Sequence, residues 1–202
     1  MKSGELKKVV QAYASHLPAP WQRVGNEFCR CEGDWVQIIA FNASRFSEQY
    51  VPRSCMEFLK MPGVPTGCFL VQELQNPNGT QRWVKLSEDP ADVFKEMAKQ
   101  FRPSLLRQLD PAEIKRLLMA NTSYWPHAYA LCVIACEEGN TVEAEHWFDA
   151  FASATADKPY PWVETRKQEL KECLKLAASP EALKANLDVV RTEKLRALKL
   201  AK

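Results

Sequence analysis

The spacing of apolar residues changes period along the chain. From Ser3 to His16, Leu6, Val9, Val10 and Tyr13 recur at helical intervals, with Leu17 just beyond and Lys7, Lys8 and Gln11 off that stripe. Pro18 and Pro20 close this helix. Short runs follow at Trp21–Val24, Glu27–Glu32, Trp35–Phe41, within Tyr50–Leu59, and at Cys68–Leu74 and Gln81–Leu86, and they predict strands. Gly33-Asp34 is short enough to turn the second strand directly into the third, and Asn78-Gly79 marks a second hairpin. Trp35, Ile39 and Phe41 alternate with Val36, Ile38 and Ala40, so the Trp35–Phe41 strand is apolar on both faces and belongs in the middle of a sheet. Pro52 places part of its strand at an edge or bulge. The connections are too short for βαβ crossovers, so the pattern predicts an antiparallel meander of about five strands.

From Ser87 onward the period is helical. Asp89-Pro90 and Asp110-Pro111-Ala112-Glu113 read as helix starts, the second with Glu113 placed for a capping box, and Pro103 ends the helix between them. Residues 124–156 predict a helical hairpin in which Gly139 ends one helix and Thr141 caps the next. Leu131, Cys132, Ala135, Ala144, Phe148 and Phe151 match the spacing of one tetratricopeptide-like unit. DKPYPW (157–162) is a stiff connector, one further helix runs to Leu176, and Ser179-Pro180 opens the last. The fold class is therefore α+β: residues 1–86 carry a helix and a sheet, and residues 87–202 a helical lobe packed on or beside it.

Composition narrows the function classes. The chain has 202 residues, 46% hydrophobic and 26% charged, with a formal net charge of +2, too small to argue for nucleic acid. Six basic and two acidic residues between Lys184 and Lys202 make the last helix locally basic, but no aromatics interleave there for base stacking, so nucleic acid is not the expected partner. No apolar run approaches the ~20 residues that span a bilayer, and Gln11, Tyr13 and Ser15 interrupt any signal-like core near the start, so no membrane association and a cytoplasmic address are expected. Seven cysteines (29, 31, 55, 68, 132, 136 and 173) in such a setting are expected as reduced thiols, and their spacing supplies no zinc pair.

No phosphate-binding glycine loop or G-x-S-x-G elbow occurs, so no catalytic residue, metal ligand or cofactor site is expected. An enzyme, a small hydrolase or transferase, would have to assemble its site in space, with His127, His146 or Cys29 as candidates. Polar side chains within the strands point elsewhere. Arg30, Gln37, Arg53, Glu57 and Arg82, with Trp35 and Trp83, are residue types that anchor protein interfaces if they share an exposed face. Glu137 and Glu138 sit at a helix C-terminus, where the dipole disfavours them, and so suggest an acidic patch facing a partner.

The order of segments, WQRVGNEFCRCEGDWVQIIAFNAS, then QYVPRSCMEF, then RWVKLSEDPADVFKEM leading into a two-helix unit, resembles the bacterial family of domain of unknown function 4304 over roughly residues 3–155. That resemblance implies an α+β fold in a cytosolic bacterial protein and brings no activity or site residues with it. Some small α+β proteins of this general kind are similar to immunity proteins encoded beside contact-dependent toxins. The expectation is a non-enzymatic protein–protein interaction module, with a toxin that it occludes as one candidate partner. The alternatives are the spatially assembled enzyme and weak nucleic-acid binding through the C-terminal helix.

Overall fold

The computed structural model describes residues 3–62, 69–101 and 110–200. Its elements are α1 (Ser3–Tyr13), β1 (Gln22–Val24), β2 (Glu27–Glu32), β3 (Trp35–Ala43), β4 (Gln49–Phe58), β5 (Phe69–Glu73) and β6 (Val84–Lys85). Then come α2 (Pro90–Gln100), α3 (Pro111–Met119), α4 (Trp125–Glu137), α5 (Thr141–Ala154), α6 (Pro161–Leu176) and α7 (Pro180–Ala197). The protein is α+β, an N-terminal helix and antiparallel sheet followed by helices. Cys68, expected in the fifth strand, and Pro103, expected to end α2, lie outside the described residues. Among the described residues no helix is long and apolar enough to cross a membrane.

Two compact units divide the chain, Met1–Glu57 with Leu70–Leu109, and Phe58–Phe69 with Asp110–Lys202. α2 thus belongs to the first unit. The reason is the apolar stripe of α2: Val93 and Met97, with Phe101 just past its end, enter the same core as Leu6, Val10 and Tyr13 of α1. Asp89 caps α2 through the Ala91 N–H at 2.9 Å, with Pro90 in the first turn as the sequence predicts.

In the first unit the strands run β1-β2-β3-β4-β5 in chain order, and β6 pairs with β4. Glu32 lies opposite Trp35 across the two-residue turn, and Arg30 opposite Gln37. Every residue of β3 from Trp35 to Phe41 is buried, as a central strand requires. Phe28, Ile39, Phe41, Tyr50, Leu74 and Val84 complete the core beneath α1 and α2. The Tyr13 and Tyr50 hydroxyls, 2.6 Å apart, satisfy each other inside it.

Pro52 does not sit at an edge. It lies in β4, which has β3 on one side and β5 and β6 on the other. Its carbonyl accepts the Leu74 N–H at 3.1 Å, and the Leu74 carbonyl accepts the Arg82 N–H at 2.8 Å. The strand tolerates a proline because another amide takes the bond that proline cannot make.

The second unit is built around α4, which is apolar on all sides and buried along almost its whole length. It packs against α3, α5, α6 and α7. Small residues let α5 approach, and the Cys132 thiol donates to the Ala144 carbonyl at 3.3 Å. Gly139 takes φ +70° past the end of α4, the left-handed conformation that suits glycine at this position. The cap of α5 is Asn140, not Thr141: its side chain accepts the Glu143 N–H at 3.1 Å, and Thr141 is the first helical residue.

Candidate functional site

The hairpin between β5 and β6 is held by its own amides. Asn76 and Thr80 pair through backbone at 2.8 Å, and the Asn78 side chain accepts both the Thr80 N–H (3.1 Å) and its hydroxyl (2.7 Å). Gly79 occupies the turn with φ +81°. Gln75 and Gln81 form the last bridge, after which Arg82 leaves towards β6. The Arg82 guanidinium reaches α2, with Nε 3.0 Å from Glu96 Oε2 and Nη2 2.7 Å from Glu88 Oε2. Burial raises the Glu88 carboxyl, but the Lys85 N–H and Arg82 outweigh it and hold the group below its ordinary range.

One turn beyond Glu96, on the same face of α2, stands Gln100. Its amide makes two bonds to one residue: Oε1 accepts the Gln75 N–H and Nε2 donates to the Gln75 carbonyl, both at 2.8 Å. This is the pairing that an adjacent strand would make. Because Leu74 directs its N–H and carbonyl towards Pro52 and Arg82, alternation turns those of Gln75, Glu73 and Val71 the other way, outward from the sheet. Gln100 fills the position at Gln75. Among the described residues nothing pairs with the outer side of Glu73 or Val71, and Val71 is 41% exposed.

A groove of about 970 Å³ opens beside this edge. It is lined by Val71, Glu73 and Gln75 of this edge, by Asn76, Pro77 and Gly79 of the turn, and by Arg82, Glu96 and Gln100. Its polar side chains are amides and carboxylates with a single guanidinium, and that guanidinium already holds Glu88 and Glu96. Glu73 accepts from the Gln81 amide at 2.7 Å. Such a wall can hydrogen-bond an extended chain, and it presents no nucleophile.

The residues singled out from sequence fall in several places. Arg30, Trp35 and Gln37 share one face of the sheet but are buried there. Arg30 lies over the Trp21 ring at 4.9 Å, pairs with Glu32 at 2.6 Å and donates to Gln37 at 2.5 Å, an internal polar set. Glu57 is buried and Arg53 half-buried in β4. Trp83 is 42% exposed beside Arg82, and of these residues Arg82 alone lines the groove. Glu137 pairs with Lys60 at 2.5 Å and Glu138 with Lys115 at 2.6 Å, so lysines of their own unit answer both charges. Sequence reasoning did not single out Val71, Glu73, Glu96 or Gln100. The Asn-Gly signal located the turn, but nothing local in the sequence brings α2 against it.

The candidates for an assembled catalytic centre have structural surroundings. His127 is buried, its ring stacked on Phe69 at 5.9 Å, and its Nδ1 is 3.2 Å from the Leu118 carbonyl oxygen. A carbonyl only accepts, so Nδ1 carries the proton. His146 packs on the neighbouring Trp147. Burial pushes the Cys29 thiol up to about 12, with Glu27 and Cys31 adding to it, the opposite of an activated thiolate. Among the described residues no three histidine, cysteine, aspartate or glutamate side chains are grouped to hold a metal ion. No family model, curated protein or solved structure matches the chain.

Proposed function

We propose that the protein is a non-enzymatic interaction module that binds an extended segment of another protein along the outer edge of β5. The observation that carries this reading is the pair of bonds from Gln100 to Gln75. They mark this edge as set in strand-pairing geometry, and by alternation Glu73 and Val71 offer the same bonds beside a groove of about 970 Å³. Main-chain bonds of this kind supply affinity without requiring a deep apolar pocket. A toxin held in an inactive complex is one partner of this class, and a cytoplasmic location belongs to the same proposal. The unbridged thiols of Cys29, Cys132, Cys136 and Cys173 support that location.

A photo-crosslinking amino acid in place of Val71, expressed in the native host, tests the reading, with the same probe in place of the exposed Val142 on α5 as control. A discrete protein adduct from position 71 and none from position 142 is the expected result. No adduct from position 71, or the same pattern from both, would overturn it.

A further inference from the structure

Resting on that reading, we propose that the groove selects a segment carrying an arginine or lysine, placed opposite Glu73. A strand added to β5 sets its residues directly across from Val71 and Glu73, with side chains on the same face as theirs. Across from Glu73 the incoming side chain meets a carboxylate that, among the described residues, accepts from the neutral Gln81 amide and pairs with no cation. The guanidinium lining the groove is engaged by Glu88 and Glu96 instead. Glu96 is itself 41% exposed at the groove, so a second carboxylate adds to the field without a second cation among the lining residues. An acidic side chain in the same place would meet two carboxylates, and an apolar one would leave Glu73 as it is. The occupant is thus a basic extended peptide segment, and its footprint is short. Gln100 already takes the outward bonds of Gln75, so the segment runs past Val71 and Glu73 and stops there.

The test uses fluorescence anisotropy of labelled nine-residue peptides of alternating valine and threonine. The central residue is arginine, threonine or glutamate, and the peptides are titrated against the full chain, Glu73→Gln and Val71→Pro. Proline at position 71 removes an outward N–H, at a site where Leu70 already has a positive φ. A backbone N-methylated arginine peptide blocks pairing from the ligand side, should Val71→Pro fail to fold.

The arginine peptide is expected to bind about two- to five-fold more tightly than the threonine peptide, and the glutamate peptide more weakly than either. Glu73→Gln should erase that order, added salt should compress it, and Val71→Pro or N-methylation should abolish binding of all three. Equal binding of the three peptides, still lost on N-methylation, would overturn the basic preference and leave strand addition standing. Binding indifferent to N-methylation, or no binding at all, would overturn both. A concentration-dependent dimer in sedimentation velocity that Val71→Pro dissociates would show a second copy as the occupant, and would overturn the proposal in that way.

Discussion

Arg82 donates to the Leu74 carbonyl the N–H that Pro52, the residue across from Leu74, does not have. At this point β4 exchanges one neighbour for another: Gln49 and Tyr50 pair with Lys85 and Val84 of β6, and from Pro52 onward β5 takes over. The strand that departs and the strand that arrives belong to one hairpin, so its two arms meet at the proline. That seam sets where Arg82 leaves the sheet, and therefore where its guanidinium meets Glu88 and Glu96. It also sets the phase of β5, which turns Val71, Glu73 and Gln75 outward.

The Gln100 amide should behave as a removable piece of strand. Hydrogen exchange by NMR on Gln100→Ala is expected to show the Gln75 amide exchanging about 2- to 10-fold faster, the equivalent of one modest hydrogen bond. The Arg82 amide, bonded to Leu74, should keep its protection. Equal acceleration of both would mean that the variant loosens the whole hairpin.

The buried hydroxyl pair makes a double-mutant cycle informative. Tyr13→Phe or Tyr50→Phe leaves the surviving hydroxyl without its 2.6 Å partner and should cost about 1–3 kcal/mol in urea unfolding. The double variant removes both polar groups and should cost less than the sum of the singles. Additive losses would show that the two hydroxyls are not coupled.

The same pair predicts an alkaline limit. Burial pushes the Tyr50 hydroxyl up to about 12 and the Tyr13 hydroxyl higher still, and each stays protonated in the fold. A group whose folded pKa is raised contributes its full stability below its unfolded value and loses it as pH rises towards the folded one. The melting temperature should therefore fall between pH 10 and 12. Tyrosinate absorbance should rise late for these two residues, and an ordinary titration of every tyrosine near 10 would contradict this.

Two cysteines with one residue between them should differ in reactivity. Cys31 is exposed, whereas Cys29 is buried with its thiol pushed up to about 12. Brief iodoacetamide treatment at pH 8, followed by trypsin, separates them, because cleavage after Arg30 falls between them. The Cys31 peptide should carry the label and the Cys29 peptide should not.

At the α4–α5 turn, Asn140→Ala should cost about 1 kcal/mol in stability, since it removes the side chain that holds the Glu143 N–H. Thr141→Ala, at the first helical position, should cost a few tenths of that. Equal losses would return the cap to Thr141.

The elements themselves were legible because they rest on local rules. The Leu6–Tyr13 stripe, the doubly apolar Trp35–Phe41 run, Asp89-Pro90, and the glycine and asparagine turns each encode a conformation within a few residues. Even the slip from Asn140 to Thr141 is a displacement of one residue at a helix start. The amino-acid sequence by itself thus determined an antiparallel sheet with helices before and after it, and the helical hairpin of residues 124–156. Only the tertiary structure decided which polar residues remain available. Arg30, Gln37 and Glu57 read as surface letters in a strand, yet burial depends on what covers that strand. Glu137 and Glu138 look unanswered until Lys60 and Lys115 arrive from 77 and 23 residues away. The groove belongs to the same class: Gln75 and Gln100 are 25 residues apart and carry no periodic signal, and they meet because α2 shares a core with α1. Hydrophobic period is a property of neighbours along the chain, whereas a docking edge is a property of what the fold leaves unpaired.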